Sequence, residues 1–574
     1  MVAACCLYVE GSSLIRGLTL LAIGTLRLEW PQSGNTNSEE AWQSAIRWMD
    51  ECTSTHKPCN GSQGVAWILP TRLLDVDSSG ASLDSVCLIE PVDRNVRLQY
   101  LTLSHCWGKK TFLTARKDNI ADLKKGINVD TLTKTFQEAI SVCRRLGFRY
   151  LWIDSLCILQ DRDDLSDWEF ESKNLELCYS NAYCNIAATA SYDGSEGLFR
   201  SREAPKLQPM QYVLPESKRG PGGPYHIFDI TLWDQQLNES PLHHRAWELQ
   251  ERLLAKRILH FGKYQLLWEC REHTAAETYP DGITDMSALV QRARFKDIDP
   301  ASKWNQADLR SKDSTIVAYR LWERVINTYS RCLLTYASDK TKAISGIAAR
   351  FERILQDDCI FGLWSRDLAR QLLWHVEDRL WPLQNTLYTQ PRIYDIPIWS
   401  WLSTDCAIDT GKSSEIRDVS AVESLIGVID ITFTGDKLST HFEYRARGCA
   451  LRFTCHVVDA MLSLGRHGLW RIQRISRPLA KRLSPVPTIW IDRHIAGIDE
   501  IGDTVRIFYV PVRRYTQHGR RGAQQYLDCL LTVLNDVGVD NYQRLGMMQV
   551  TGHKEIECML NAEDRAKLTM MNLV

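Results

Sequence analysis

Three stretches of the chain concentrate side chains able to act on a small molecule. Ser104-His105-Cys106-Trp107-Gly108 sets a hydroxyl, an imidazole, a thiol and an indole before a glycine, so backbone N–H donors and a stacking ring share one turn. Tyr150-Leu-Trp-Ile-Asp154 is an apolar run that stops at a carboxylate. A buried strand of this kind delivers its last residue to the carboxyl edge of an open α/β sheet, where such sheets keep their sites. Glu171 shares a helical stripe with Trp168, Leu175 and Cys178, so a carboxylate lies on an otherwise apolar face, with Glu169, Ser172 and Glu176 opposite. Such a group either stabilises a developing cation or is a buried structural carboxylate paired with a cation such as Arg245; both readings stand. His105 with Cys106 makes a poor nucleophile dyad, because neighbours in an extended segment point to opposite faces. Cys157, between Leu156 and Ile158, reads as core.

A fourth stretch, Cys52-x3-His56-x2-Cys59, offers three soft or borderline metal ligands. No second Cys/His pair stands nearby at metal spacing. The expectation is a loop pinned by packed thiols and a hydrogen-bonded histidine, without metal; Cys52, His56 and Cys59 remain weak candidates for zinc.

The elements that must position these groups follow one another as strand, helix, strand, helix, strand. Arg97–Leu103 is a strand ending at Ser104. From Thr131 an amphipathic helix carries Leu132, Phe136, Ala139, Ile140, Cys143 and Leu146 on one face, and Gly147 ends it. The strand to Asp154 follows, then a helix from Trp168 to about Tyr179, then the strand-like Tyr183–Ala188. This alternation predicts a parallel sheet over 98–190, with Asp154 and Ser104 at neighbouring strand ends. Residues 200–240 read as a connection or insertion. Residues 243–254 form a charge-dense helix, 257–261 and 265–270 strands, 316–351 helix, and 364–374 a further helix. Ile396–Trp401 opens a region of alternating strands (441–460, 487–512, 526–534).

At 574 residues, with 44% hydrophobic and 24% charged content, the chain is an ordinary globular protein of several domains. Sixty-nine basic against 70 acidic residues leave a formal charge of -1, which argues against nucleic acid as a partner. The 18 cysteines are dispersed and often lie in apolar runs, as reduced thiols do. No membrane span is expected, and a cytoplasmic location is.

Taken in order, these pieces resemble the fungal heterokaryon-incompatibility (HET) domain family. The resemblance rests on Tyr100-Leu-Thr-Leu-Ser-His-Cys-Trp-Gly108, Thr135-Phe-Gln-Glu-Ala-Ile140 with Leu146-Gly147, and Tyr150-Leu-Trp-Ile-Asp-Ser-Leu-Cys-Ile-Leu-Gln-Asp161. Trp168 with Glu171 and Tyr179, and Arg245-Ala-Trp-Glu-Leu-Gln-Glu-Arg-Leu-Leu254, complete it. Further family-like signals are Cys52/His56/Cys59, Tyr329-Ser-Arg with Asp339-Lys340 and Gly346, and Pro397–Trp401. The family usually has Tyr at His105, Pro at Thr133 and Met at Leu177.

The resemblance implies a TIR-like, Rossmann-like α/β HET domain at 98–255. An N-terminal extension with the Cys/His motif (1–97) would precede it, and a mainly helical region (256–390) and a mixed α/β C-terminal region (391–574) would follow. It implies non-self recognition between fungal strains with induced cell death. A TIR-like cleavage of NAD, as substrate and not cofactor, would make Glu171 and Asp154 catalytic. Ser104, His105, Trp107 and Gly108 would then bind the ligand with Gln160, Arg245, Trp247 and Glu251. The Gly-x-Gly-x-x-Gly dinucleotide fingerprint is absent after the first strand. The rival reading is a non-catalytic adaptor that assembles with itself or another incompatibility protein through its 243–254 helix. A third is a HET fold recruited to specialised metabolism.

Overall fold

The computed structural model describes residues 18–22, 29–60, 66–77, 84–208, 210–216, 222–229, 233–282, 296, 312–377, 396–410, 422–432, 450–464, 470–474, 487–492, 503–519, 522–535, 541–560 and 568–574. The strand expected over 441–460 lies outside these up to residue 449. The chain divides into two units, the first comprising residues 1–307 with 332–334 and 342–347.

The first unit runs β1 (Leu18–Ala22), α1 (Glu39–Thr55), α2 (Lys57–Asn60), β2 (Leu73–Asp75), β3 (Ser85–Ile89), β4 (Tyr100–Ser104), α3 (Ile120–Lys125) and β5 (Ile127–Asn128). It continues with α4 (Lys134–Arg145), β6 (Tyr150–Ile153), the one-turn α5 (Asp154–Cys157), α6 (Ser166–Asn181), β7 (Cys184–Ala187), β8 (Met210–Leu214) and β9 (Gly223–Asp229). It closes with α7 (Ala246–Leu254), β10 (Arg257–Phe261), β11 (Leu266–Cys270) and β12 (Thr274–Ala276).

Nine of these strands form one sheet in the order β12-β11-β10-β7-β4-β6-β2-β3-β5. The middle four, β6, β4, β7 and β10, are parallel, and antiparallel strands flank them on both sides. The expected parallel sheet is therefore the centre of a mixed one, which starts before residue 98 and continues past 255. Every residue of β4 is buried, as a central strand covered on both faces requires. Residues 200–240, read as a connection, supply β8 and β9, which form a small separate sheet with β1 in the order β1-β9-β8.

Helix α4 follows its sequence pattern closely. Phe136, Ala139, Ile140 and Cys143 are buried, Leu146 caps the helix, and Gly147 adopts φ 78°, a left-handed conformation that suits glycine. Thr133, where the family usually has Pro, is the N-cap, its hydroxyl accepting the Phe136 N–H. Thr133→Ala should therefore lower stability by about 1 kcal/mol, read as faster hydrogen exchange across α4; unchanged exchange would show that the hydroxyl contributes nothing.

Helix α6 departs from expectation. Glu171, Leu175 and Cys178 are buried as predicted, but so are Ser172 and Glu176 on the face assigned to solvent. Helix α7 and residues 342–347 cover that face. A Cβ added to Gly346 would lie 3.2 Å from Glu176 Cβ, and the Gly346 N–H donates to Gln250 Oε1 at 2.8 Å.

The second unit holds helix Lys312–Tyr329 and the later part of helix Lys342–Leu355. In the 364–374 stretch only Leu368–Gln371 is α-helical. Indole N–H groups of Trp322 and Trp401 converge on the carbonyl of Gly362 at 2.9 and 3.0 Å. Gly362 has φ 80°, and a Cβ there would meet Trp401 Nε1 at 2.7 Å. The C-terminal region is dominated by β-structure: a ten-stranded sheet, almost entirely antiparallel, from Glu423–Ser424 to Thr569–Leu573. Among the described residues no helix is long and apolar enough to cross a membrane.

Candidate functional site

The four parallel strands occur along the chain as β4, β6, β7, β10 but lie side by side as β6-β4-β7-β10. The direction of winding reverses at β4, and open α/β sheets place ligands at the carboxyl ends of strands beside such a reversal. Leu103 pairs with Ile153, so Ser104 and Asp154 follow at adjacent strand ends, and Ser104 pairs with Ala187 on the other side.

A continuous hydrogen-bonded chain crosses this edge. Thr102 Oγ1 donates to Asn185 Oδ1 at 2.9 Å, and Asn185 Nδ2 donates to Ser104 Oγ at 2.9 Å. Ser104 Oγ in turn donates to the carboxylate of Glu251, delivered by α7. Burial pushes the Glu251 carboxyl up to about 7; the Arg245 charge opposes this and Asp154 adds to it. Beside it, Asp154 takes the Trp107 indole N–H at 2.9 Å and the Ser155 N–H at 2.7 Å. Its side chain is 25% exposed, which makes it the accessible carboxylate of the group.

His105 lies behind the rim, ringed by Phe112, Phe136 and Trp107. Burial lowers its pKa to about 4; Asp154, with an oxygen 3.7 Å from Nδ1, opposes this and Arg245 adds to it. The imidazole is therefore neutral at pH 7. Arg245 Nη1 donates to the His105 carbonyl, which fixes the guanidinium against the turn. Gly108, with φ 69°, closes that turn where a Cβ would meet Asp193 Cβ at 2.3 Å.

Three separated motifs thus meet at one edge: Ser104–Gly108, Asp154 and Arg245–Glu251. Residues 100–251 match the family model for heterokaryon incompatibility protein (HET). This stretch is a HET domain. No curated protein and no solved structure gives a match. A HET domain implies a function of the heterokaryon-incompatibility type.

Not every residue singled out from the sequence joins the edge of the HET domain. Glu171 is buried, but its partner is the Thr71 hydroxyl. Its pKa is raised, first by burial and also by Asp167, while Thr71, Arg94 and Arg72 hold it down. Arg245, the example given for a pairing cation, is not its partner: the nearby cations are Arg72, just before β2, and Arg94, after β3. Arg72 itself forks onto Asp167, at 2.5 and 3.0 Å, and so ties the start of α6 to β2. Trp247 packs edge-on against Trp168 at 6.0 Å, and Gln160 donates to Ile158 O within its own loop.

Helix α7 also needs correction as an interface. Glu248, Gln250, Glu251 and Arg252 are all buried. Arg252 forks onto Glu269 of β11, at 2.7 and 3.0 Å, and His243 Nδ1 lies 2.7 Å from Glu248.

Thr71, Asn185 and Cys270 are not among the residues that the sequence pattern singles out. Asn185 had a signal, an amide inside the apolar run Tyr183–Ala188, where a central strand tolerates a polar group only if it is bonded. Cys270 supplies the fourth candidate ligand whose lack argues against a metal at Cys52, His56 and Cys59: it lies with them, and all four are buried.

Proposed function

We propose that the chain is a heterokaryon-incompatibility-type protein whose HET domain responds to non-self encounter by hydrolysing NAD, and that the resulting loss of NAD kills the cell. The reading is carried by one observation, the partly exposed Asp154 beside the buried, readily protonated Glu251 at the carboxyl edge of the parallel strands. The winding of those strands reverses at β4, as in open α/β sheets that bind ligands at the carboxyl ends of their strands, which supports a ligand at this edge.

In this reading Trp107 stacks on a ring of the dinucleotide, and Arg245 and the Gly108 turn face its phosphates. The bond from the ribose C1′ to the nicotinamide nitrogen breaks, and nicotinamide leaves with the electron pair as a neutral molecule. The Asp154 carboxylate stabilises the oxocarbenium-like ribose. Water adds to C1′, and its proton passes to Glu251 and then to solvent. Glu171 supports α6 from its bond with Thr71.

The test is NAD consumption by the purified full chain, with Asp154→Asn, Glu251→Gln and Glu171→Gln side by side. Asp154→Asn should lower the rate by at least about 100-fold with the fold intact, and Glu251→Gln by about 10–100-fold. Glu171→Gln should leave it within about threefold. An inert wild-type chain that kills on expression in a fungal host would favour the adaptor reading. Loss confined to Glu171→Gln would move the chemistry to α6.

A further inference from the structure

We propose that Cys52, His56, Cys59 and Cys270 bind one zinc ion that clasps the N-terminal helix pair to the sheet. The four ligand atoms, three Sγ and one imidazole nitrogen, are buried and all lie within 4.8 Å of one another. Tetrahedral zinc with bonds of about 2.3 Å to sulfur and about 2.0 Å to nitrogen needs ligand atoms roughly 3.5–3.8 Å apart, so small side-chain adjustments close the shell. His56 Nδ1 already lies 3.3 Å from Cys270 Sγ.

The local folding explains the placement. Cys52 is in the last turn of α1, His56 is its C-cap, and Cys59 lies on α2, so the Cys-x3-His-x2-Cys spacing wraps three ligands around one helix end. Asn60 holds that end in shape, its amide donating to the carbonyls of Cys52 and His56 at 2.8 and 3.0 Å. Cys270 is the last residue of β11, where its amide bonds to His273 O at 2.8 Å and its sulfur accepts the His273 N–H at 3.2 Å.

Two further observations point to a bound cation and away from a packed thiol cluster. Three cysteines cannot be satisfied by disulfide pairing, since one bridge leaves a third thiol against His56. Arg257 is 4% exposed and directs its guanidinium at Cys52 Sγ (3.2 Å), Asn60 and the Tyr183 carbonyl, with no carboxylate among its described contacts. A buried guanidinium needs a negative neighbour. Three thiolates around Zn²⁺ carry one net negative charge and supply it, and N–H···S bonds such as those from Arg257 and His273 are the outer contacts that hold zinc thiolates. Thiolate-rich ligands with one imidazole select zinc over magnesium or calcium. Four protein ligands leave no open position, so the ion is structural and takes no part in cleaving substrate.

The experiment measures metal content of the full chain, purified under reducing conditions, by elemental mass spectrometry, together with the absorption of the Co²⁺-substituted chain. Wild type and Cys558→Ser, a change at an exposed cysteine, should carry about one zinc per chain and show a thiolate-to-cobalt charge-transfer band. Cys270→Ser should lose at least about tenfold of its zinc affinity. Should Cys270→Ser fail to fold, chelator titration of the wild type decides: zinc release should coincide with faster hydrogen exchange in α1 and α2. A wild-type chain without zinc that gives no cobalt band overturns the proposal. So does a disulfide among the three cysteines, zinc retained in Cys270→Ser, or chelation that leaves α1 and α2 unchanged.

Discussion

Glu269→Ala should cost about 3–5 kcal/mol of local stability, the largest effect of any single change considered, because it leaves a buried guanidinium without its counter-charge. Glu269 is fully buried; it accepts Arg252 Nε at 2.7 Å and Nη2 at 3.0 Å, and His260 Nε2 lies 3.4 Å away. Burial alone pushes the Glu269 carboxyl up, but the Arg252 charge and the hydrogen bonds from His260 and Arg252 prevail and hold it well below the ordinary carboxylate range. A depressed carboxylate contributes stability above its unfolded value and loses it as pH falls through the folded one. The cost of Glu269→Ala is therefore full at neutral pH and shrinks only in strong acid. Hydrogen exchange of β10 and β11 amides is the appropriate readout, since a chain of two units need not unfold in one step. Replacing both partners, Arg252→Met with Glu269→Leu, should be milder than Glu269→Ala alone. Exchange in β10 and β11 changed by less than about 1 kcal/mol would mean that Arg252 is not left as an uncompensated buried charge.

Glu251→Gln should have the opposite sign and depend on pH. A carboxyl raised from 4.5 to about 7 binds its proton more tightly in the folded state than in the unfolded one. The group is thus least costly below pH 4.5, and it reduces stability progressively as pH rises through about 7. That rise corresponds to about 3 kcal/mol once the group is fully ionised. Glutamine keeps an acceptor for the Ser104 hydroxyl and removes the ionisation. At pH 8 the variant should be more stable than wild type by up to about 3 kcal/mol, and at pH 4 the two should match. Amide exchange in β4 and β7 across that range measures it. Parallel pH profiles for wild type and variant would show that Glu251 ionises as freely folded as unfolded.

The elements carrying the edge were legible because their signals are local. Strands β4, β6 and β7 are continuous apolar runs, helix α4 has clean periodicity with Thr133 and Gly147 at its ends, and Asp154 and Ser104 mark where the runs stop. What local pattern cannot carry is the identity of a partner brought from elsewhere. Glu171 on an apolar stripe was read correctly as buried, yet the stripe does not say that Thr71 meets it and Arg245 does not. The polar face of α6 was read as wet because nothing in 166–181 announces that α7 and residues 342–347 will cover it. Charges in 243–254 suggested a surface, whereas Arg252 and Glu248 find buried partners in β11 and the preceding turn. Cys270 escaped for the same reason: it lies far along the chain from Cys59, and a lone cysteine ending a strand is the common pattern of a core thiol.

The nine-stranded sheet ends in very short strands. On one side is β5, two residues long, and on the other β12, three residues long and turned back by the hairpin from β11. An exposed edge recruits other chains by extending its ladder of backbone hydrogen bonds, and natural sheets discourage this by keeping edge strands short. Two- and three-residue rungs offer too little ladder to hold an added strand. The edges of this nine-stranded sheet are therefore poor sites for strand addition in the manner of amyloid or of donor-strand complementation. Clustering of copies around this sheet would use side-chain surfaces on its helices and loops, so it should be sensitive to point substitutions there and remain reversible on dilution.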